Sequence, residues 1–250
     1  MKNSNGFMSG SKPPDISMLS ETFETLNKEI TTCHKCPRLV AWREEVAQTK
    51  RKAYQDWDYW GKPVPGFGDH KARVLVVGLA PGAHGSNRTG RQFTGDGSGV
   101  FLYPALYRAG FANQPQSTRL EDGLTLKDMY ITAAGRCAPP SNKPTPEELN
   151  NCQPYLVREI ELLNPKVIVV LGRIAFERIL HIYFCKVNAK LQTVNRPSSM
   201  VFAHGAVYKL KPETWLLSSY HPSQQNTLTG KLTVDMFDRI WEKARKLISA

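Results

Sequence analysis

The sequence predicts an α/β protein with a four-stranded parallel sheet flanked by helices on both faces and a separate cysteine-bearing subregion. Four short, largely apolar runs predict the strands, and they span residues 73–80, 129–134, 166–172 and 215–222. Continuous rather than alternating apolar character is typical of strands that are covered on both sides. Helical periodicity fills the intervals, and this alternation of strand and helix is typical of parallel α/β domains.

The N-terminal part predicts a tail, a helix and a loop. Residues 1–14 are polar and rich in Gly, Ser and Pro, which predicts a flexible tail before a single α/β domain over 15–250. Apolar residues then recur at helical spacing as far as the segment TTCHKCPR: Leu19, Phe23, Leu26 and Ile30. From Val40 to His70 this periodicity is lost, and the stretch WDYWGKPVPGFGD predicts an ordered loop.

Two of the intervening helices have recognisable starts. One helix is expected after Ser98, with Pro104 near its start. Thr145 and Glu148 stand at capping-box spacing and Pro146 occupies the first turn, which together predict the beginning of another helix.

The C-terminal third predicts a helix over 173–184, an irregular excursion or hairpin over 186–213, and a final amphipathic helix. The final helix has an apolar face formed by Val234, Phe237, Trp241, Ala244 and Ile248. Basic side chains near its C-terminal end complement the helix dipole: Lys243, Arg245 and Lys246.

The composition is basic, with 33 Lys and Arg against 22 Asp and Glu, a net charge of +11 and a pI of about 9.5. Such a surface either attracts polyanions or simply keeps a protein soluble. Arg88 and Arg91 stand in a loop with glycines and an aromatic residue, which favours nucleic acid as the partner. No apolar run is long enough for a membrane span and no signal peptide is evident, so we expect a soluble, cytoplasmic protein.

Three of the four predicted strands end in polar or glycine-rich loops, GLAPGAHG, AAGRCAPPSN and SSYHPSQQN. Because ligands bind at the carboxyl ends of parallel strands, these loops predict a single cleft. The first loop lacks the Lys-Ser/Thr of a P-loop and the spacing of a dinucleotide fingerprint, which argues against ATP and NAD. No nucleophile-elbow serine is present.

Four side chains in these loops have both a structural and a chemical interpretation. Asp96 either caps a turn or helix, or holds and deprotonates a water. Asn142 is either a turn residue or an amide that orients the same water. His221 is either a hydrogen-bonded structural residue or a group that stabilises a developing anion. Phe93 either anchors its loop or stacks on a base.

The sequence has five cysteines. Cys33 and Cys36 form a C-x2-C pair, and Cys137 and Cys152 form a wider pair further along the chain. Four thiolates are the ligand set of a structural zinc ion or of an iron–sulfur cluster; the spacing favours a metal over free thiols and leaves both metals open. Cys185 is expected to be an ordinary core thiol.

Three segments and the four paired cysteines resemble the uracil-DNA glycosylase superfamily and, more narrowly, its family 5, the type-B iron–sulfur enzymes. The segments are GLAPGAHGSNRTGRQFTGD, RCAPPSNKPTPEE and YHPSQQNTLTG. The resemblance implies a monomeric, monofunctional, nucleoid-associated repair enzyme that flips uracil out of duplex DNA and hydrolyses its glycosidic bond, leaving an abasic site. It also implies a cysteine-ligated subregion that holds a structural [4Fe–4S] cluster on Cys33, Cys36, Cys137 and Cys152.

The resemblance further implies roles for the loop residues. Asp96 would activate the water, assisted by Asn142, and His221 would stabilise negative charge on the departing base. The base itself would be bound by Gly78, Ala80, Phe93 and His221. DNA contacts are implied for Pro81, Gly82, Arg88, Arg91, Ser223, Gln224, Asn226 and Thr229.

Two departures from other branches of the superfamily bear on mechanism and substrate. Leu79 and Ala80 stand where other branches have an acidic or amide residue that positions water, and in family 5 an aspartate matching Asp96 takes that role. Ala133 and Ala134 stand where uracil-strict branches have an asparagine, so hypoxanthine and other deaminated bases are expected as substrates. The alternatives are a catalytically inactive iron–sulfur DNA-binding or redox-sensing protein, and a small-molecule nucleosidase, which has no need of the basic surface.

Overall fold

A computed structural model describes residues 22–188, 191–194 and 197–249. The predicted tail over 1–14 and the first residue of the predicted N-terminal helix face, Leu19, lie outside the described residues. The first part of the chain forms α1 (Phe23–Thr31), α2 (Pro37–Thr49), β1 (Phe67–Gly68), β2 (Val74–Gly78), α3 (Ser86–Thr89), α4 (Gly97–Arg108) and β3 (Met129–Ala133).

The second part begins with α5 (Pro146–Leu163), β4 (Val167–Leu171), α6 (Arg173–Phe184) and the hairpin strands β5 (Cys185–Asn188) and β6 (Leu191–Val194). It continues through β7 (Val207–Lys211), β8 (Thr214–Ser219), α7 (Gln224–Leu228) and α8 (Val234–Ser249). Two 3-10 turns, Lys52–Tyr54 and Pro140–Asn142, complete the helical elements of the described chain.

The main sheet has the strand order β1-β3-β2-β4-β8-β7. Its four central strands are parallel, as predicted, whereas β1 and β7 add antiparallel edges. The edges escaped prediction because β1 has only two residues and because β7, VYKLK, is half-exposed and lacks a continuous apolar run. Within 186–213, the structure confirms a hairpin, β5–β6, and adds β7.

Helices cover both faces of the sheet, and β2 shows how. Val74 and Val76 pack into the core beneath α4 and α8, whereas Leu75 and Val77 pack into the core beneath α5 and α6. All four are fully buried, and burying a side chain of this kind contributes about 1.5–3 kcal/mol. None of the helices in the described ranges is long and apolar enough to cross a membrane.

Most of helix α2 lies in the segment that begins at Val40, where the sequence shows no helical periodicity and predicted no helix. That prediction was wrong. The buried positions of α2 are Leu39, Arg43 and Val46, which are spaced as one helical face. Because a charged residue occupies the middle position, the apolar pattern is broken in the sequence but not in the structure.

The starts of α4 and α5 show one incorrect and one confirmed prediction. Helix α4 begins at Gly97, so Pro104 lies in its interior rather than near its start, because Asp96 caps the helix one turn earlier. Helix α5 has the predicted capping box, in which Glu148 N donates to Thr145 Oγ1 at 3.2 Å and Thr145 N donates to Glu148 Oε2 at 2.7 Å.

Candidate active site

The carboxyl ends of β2, β3 and β8 lie at one edge of the sheet, and the loops that follow them enclose a cleft of about 820 Å³. Eight of the residues predicted for the site line this cleft: Ala80, Gly82, Phe93, Asp96, Asn142, His221, Ser223 and Gln224. The topology therefore assembles one polar site from three distant segments, as the strand-end loops predicted.

Asp96 is both a helix cap and a cleft residue. Its Oδ1 accepts hydrogen bonds from Ser98 N and Gly99 N, each 3.0 Å long, at the start of α4. Its Oδ2 accepts no hydrogen bond from the described residues and lies against Gly85, where any side chain would collide with the carboxylate. Burial raises the pKa of Asp96, and this effect exceeds the opposing effect of the two backbone hydrogen bonds. One oxygen is thus fixed and the other is available.

Phe93 forms an apolar wall in a strained conformation. Its φ is +54°, a left-handed value that is costly for a bulky residue. The ring lies directly over Gly78, where an added β-carbon would be 2.6 Å from Phe93 Cζ. Gly78, predicted to contact the base, thus makes room for the ring. Fixed geometry of this kind is typical of a surface that a ligand must meet at a set position.

His221 faces Phe93 across the site, with 5.9 Å between the ring centroids. Burial lowers the pKa of His221 to about 4, so the imidazole is neutral at pH 7. Its backbone carbonyl accepts a 2.8 Å hydrogen bond from Asn226 Nδ2, whereas its ring makes no hydrogen bond to the described residues. A neutral imidazole carries one N–H donor and one acceptor nitrogen, so the ring is able to donate a hydrogen bond to a group in the cleft.

Asn142 stands at the exposed rim of the same cleft. Asn142 and Ser141 both have left-handed backbone angles, with φ of +55° and +53°. Asparagine tolerates this conformation better than most residues, which supports the turn interpretation of Asn142. Its side chain makes no hydrogen bond to the described residues, so the amide is also free for a ligand or water.

Arg88 is buried, with only 3% of its surface exposed. Its guanidinium lies 3.9 Å from the ring centroid of Tyr54 and 4.0 Å from that of Trp57. It donates from Nε to the carbonyl oxygen of His84 at 2.8 Å and from Nη2 to that of Gly95 at 2.9 Å. Arg88 therefore ties the loop between β2 and α4 to the aromatic segment that precedes β1.

Arg91 is likewise buried, with 2% exposure. It pairs with Asp122, Nη2 to Oδ2 at 2.6 Å, and also donates to Ser117 Oγ and to the carbonyl oxygen of Leu120. This burial favours internal roles for Arg88 and Arg91, and their direct contact with phosphates stays a prediction. Glycine-rich basic loops suggest an exposed cation, but here the loop folds around its own arginines.

Four other residues predicted to touch DNA are buried, hydrogen-bonded within the protein or close to the Asp96 carboxylate. Pro81 is buried. Asn226 holds the His221 backbone, and Thr229 Oγ1 donates to the carbonyl oxygen of Gln225 at 2.6 Å. A β-carbon added to Gly82 would lie 3.2 Å from Asp96 Oδ2, so glycine at this position leaves room for the carboxylate. Direct DNA contact by these residues stays a prediction.

Several cleft residues were missed in the sequence: Arg51, Tyr54, His84, Gln92 and Gln225. Arg51 and Tyr54 come from the segment TKRKAYQDWDYW, whose basic and aromatic character was the available signal. His84 Nδ1 lies 3.1 Å from Tyr59 Oη, and burial lowers the pKa of His84. The Arg51 guanidinium has no hydrogen-bond or ion-pair partner in the described part of the chain.

The four paired cysteines form a second site, separate from the cleft. All of them line one pocket: Cys33, Cys36, Cys137 and Cys152. Arg43 Nη1 lies 3.1 Å from Cys137 Sγ, and Asn151 Nδ2 lies 3.5 Å from Cys36 Sγ. Burial raises the pKa of Cys137 to about 12. Cys185 lies elsewhere and is half-buried, so its prediction as a core thiol was only partly right.

The donor set of this pocket fits a thiolate-ligated group. Among the described residues, no three His, Cys, Asp or Glu side chains are gathered closely enough to hold one metal ion as they stand. Four thiols around a shared pocket are compatible with a larger body such as an iron–sulfur cluster, which spreads its cysteine ligands around several irons. N–H donors directed at the sulfurs are typical of the surroundings of such clusters.

Comparison of the sequence with known proteins finds a matching family model and several similar proteins. The family model of the "Uracil DNA glycosylase superfamily" matches residues 65–245. A "Type-5 uracil-DNA glycosylase" of Thermus thermophilus is 52% identical over 90% of this chain and 97% of the relative. Proteins of the same name from Mycobacterium leprae and Mycobacterium bovis are 50% and 49% identical over 89% of this chain, and the matches cover 94% and 80% of those relatives.

Proposed function

Because the chain belongs to the uracil-DNA glycosylase superfamily, and within it to the type-5 group, we propose that it excises uracil from DNA by hydrolysing the N-glycosidic bond. The observation that carries this proposal is the convergence of Asp96, Phe93 and His221 in one cleft. This reaction needs a carboxylate beside the sugar. Beside the base it needs a flat apolar wall and a neutral hydrogen-bond donor.

The proposed division of labour follows the charge that develops. As the glycosidic bond breaks, positive charge grows on the sugar and negative charge on the departing base. Asp96, through its free Oδ2, would align and deprotonate water and stabilise the sugar cation. His221 would donate a neutral hydrogen bond to a carbonyl oxygen of the base, where the negative charge accumulates. Asn142, with its free amide at the rim, would orient the same water.

Reaching the base requires its extrusion from the duplex, which costs about a few kcal/mol. Phe93 would offset part of this cost by stacking on the extruded base. Leu228, at the end of α7 beside the cleft, has 83% of its surface exposed. We assign Leu228 to the gap that the base leaves, because it extends from the helix whose first turn lines the cleft and because base steps accept apolar wedges.

Phosphate binding would rest on Arg51 rather than on the buried Arg88 and Arg91. Arg51 lines the cleft and its guanidinium is unpaired among the described residues. Backbone amides of the loop after β2 and of the start of α7 would add neutral contacts. Binding would then depend strongly on salt, as neutralisation of phosphates by cations does.

The cysteine pocket would hold a [4Fe–4S] cluster through Cys33, Cys36, Cys137 and Cys152. Its role when bound would be structural: it would join the segment before α2 to the loop after β3. Arg43 supports this assignment because its guanidinium also donates to the Cys33 carbonyl oxygen at 3.2 Å. A cation at this position would offset the negative charge of a thiolate-ligated cluster.

We propose a substrate range that includes hypoxanthine. The end of β3 carries Ala133 and Ala134, which have no polar side chain to read one base edge alone. The alternative is a catalytically inactive iron–sulfur DNA-binding or redox-sensing protein. It would have no need of an Asp96 held at raised pKa beside a free donor, so we favour the enzyme.

The test is single-turnover cleavage of duplex DNA that carries one uracil or one hypoxanthine, with alkali treatment to reveal abasic sites. We expect wild type to act on both bases and Asp96→Asn to be slower by about 10²–10⁴-fold, the usual contribution of a general base. Asparagine caps a helix as well as aspartate, so α4 and DNA binding should be retained. Since burial raises the pKa of Asp96, the folded state disfavours its charge, and Asp96→Asn should be at least as stable as wild type at pH 7.

The outcomes separate the proposals. Wild type that leaves both bases in place, with its cluster intact, would make the sensor the better explanation. Excision of uracil but not hypoxanthine would restrict the substrate range. An Asp96→Asn variant that keeps its rate would transfer water activation to Asn142 or His221.

A further inference from the structure

Gln92 is a buried polar residue of the cleft that the proposed mechanism does not use. It precedes Phe93, lines the cleft and is only 1% exposed. Its backbone carbonyl accepts a 2.7 Å hydrogen bond from Tyr103 Oη, and burial raises the pKa of Tyr103 to about 12, so that hydroxyl stays protonated. The backbone at this position is therefore firmly anchored.

The side-chain amide of Gln92 has one satisfied end and one open end. Nε2 donates to the carbonyl oxygen of Val64 at 3.2 Å. Because that partner can only accept, the amide cannot be rotated to exchange its nitrogen and oxygen without losing the bond. Oε1 accepts no hydrogen bond from the described residues, and it is not among the fully enclosed side-chain atoms that lack a partner. In a residue that lines the cleft, this oxygen is open to its interior.

The position of Gln92 Oε1 is important because Ala133 and Ala134, at the neighbouring end of β3, carry no polar side chain. Val64 N donates to the carbonyl oxygen of Arg136 at 2.7 Å, which places the Gln92 amide beside the chain that leaves β3. At that strand end, Ala134 N and Gly135 N already donate to the carbonyl oxygens of Gly78 and Leu79, at the end of β2. Gln92 therefore supplies a side-chain acceptor beside a strand end whose own residues are apolar.

We propose that Gln92 Oε1 recognises the ring N–H that deamination creates in a base. This inference rests on the proposed function. Cytosine N3 and adenine N1 are acceptors, whereas uracil has N3–H and hypoxanthine has N1–H at the corresponding positions. A fixed acceptor pairs with the N–H of both deaminated bases and opposes the lone pair of both parents. Thymine shares the N3–H, so Gln92 distinguishes carbonyl bases from amino bases and not methylated from unmethylated ones.

The test compares wild type with Gln92→Met, which keeps the length of the side chain and removes the acceptor. Single-turnover excision of uracil and hypoxanthine should each fall about tenfold, the value of one good hydrogen bond to a buried group. Gln48→Met is the matched control, because it makes the same substitution at an exposed position of α2 that does not line the cleft. It should change either rate by less than about twofold.

A substrate that lacks the donor separates recognition from a structural effect. A duplex with 3-methyluracil keeps both carbonyl groups of uracil and replaces the N3–H donor with N–CH3. Gln92→Met should leave its excision rate unchanged while uracil loses tenfold, because a displaced Phe93 would slow both substrates alike. Equal losses on the two substrates would overturn the inference, and so would an unchanged uracil rate. Wild type that excises no base at all would instead overturn the proposed function.

Product inhibition keeps the inference testable if Gln92→Met does not fold. Free 1-methyluracil, which retains N3–H, should inhibit wild type about tenfold more strongly than 3-methyluracil, in which that position is blocked. Equal inhibition by the two bases would refute the role of Gln92.

Discussion

The cleft and the cysteine pocket both contain buried polar groups, yet they differ in which of these groups the chain leaves unpaired. Beside the cysteines, Arg43 donates to a sulfur and a carbonyl oxygen, and Arg136 pairs with Glu159 where both are at most 1% exposed. The Nε of each of these arginines has no partner in the described chain. In the cleft, the atoms without a partner among the described residues include two acceptors, Asp96 Oδ2 and Gln92 Oε1. Paired charges beside the cysteines stabilise the fold, whereas open acceptors in a cleft are available to a ligand.

The backbone shows the same difference. Three of the non-glycine residues with left-handed φ line the cleft: Phe93, Ser141 and Asn142. Each such residue costs about 1–3 kcal/mol, and the cost is tolerated where geometry serves function. None of the four pocket cysteines has a left-handed φ, and Cys36 and Cys152 stand at the start of α2 and within α5. The comparison predicts that changes in the pocket alter stability and changes in the cleft alter chemistry.

The largest effect should come from removing one pocket cysteine. Cys137→Ser should abolish binding of iron and sulfide and lower the Tm by about 10 °C, because the free energy of metal binding stabilises the fold. Cys185→Ser is the control, since Cys185 lies outside the pocket, and it should retain the cluster and the Tm. Iron and sulfide analysis with thermal unfolding measures both.

This prediction also tests the division between the two regions. If Cys137→Ser keeps its metal content, the cluster assignment fails. If it loses the cluster but unfolds at the same temperature as wild type, the pocket is not the stabilising region that its paired arginines indicate.

A smaller effect is expected at His221. His221→Ala should lower excision about 10²-fold, the usual cost of a lost donor to a developing anion. His221→Asn retains a neutral N–H and should recover part of the rate. A role that requires a cation would give no recovery with asparagine, so this pair of variants decides between the two mechanisms.

The pH profile provides a second measurement on the same region. With its pKa at about 4, His221 is neutral from pH 6 upward, so the rate should show no inflection near 6.5. On the acid side the rate should fall as pH drops through the raised pKa of Asp96. The depressed pKa of His221 means that the unfolded chain binds more protons than the folded protein between about pH 4 and 6.5, so folding stability decreases as the pH is lowered through that window. In His221→Asn this loss should be smaller.

Much of this comparison could be predicted from the sequence, and the exceptions have identifiable causes. Apolar runs located the four parallel strands because a sheet covered on both faces demands them. The loops at their carboxyl ends identified the cleft because parallel topology brings those ends together. Helix α2 was missed because Arg43 occupies a buried position that periodicity reserves for apolar residues. Gln92 and Arg51 were missed because only tertiary structure shows which polar atoms lack a partner.

The arginines show most clearly that the sequence does not reveal which polar side chains are paired. Sequence cannot distinguish Arg88, whose guanidinium lies against two aromatic rings, from Arg51, which is unpaired at the cleft. Both stand near aromatic residues in basic segments. Burial alone separates a cation that holds a loop from one that meets a phosphate.

Arg51 therefore carries the smallest of the expected effects, on binding alone. Arg51→Ala should reduce the slope of log Kobs against log salt by about 0.9, the contribution of one phosphate contact, and leave the Tm and the rate at saturating enzyme unchanged. Lys71→Ala is the control, because Lys71 is exposed and precedes β2 at the opposite edge of the sheet. Equilibrium binding to a uracil-free duplex over a range of salt concentrations measures the slope. An unchanged slope for Arg51→Ala would assign DNA binding to backbone amides and to cations outside the cleft, and the open groups of the cleft would then serve the base alone.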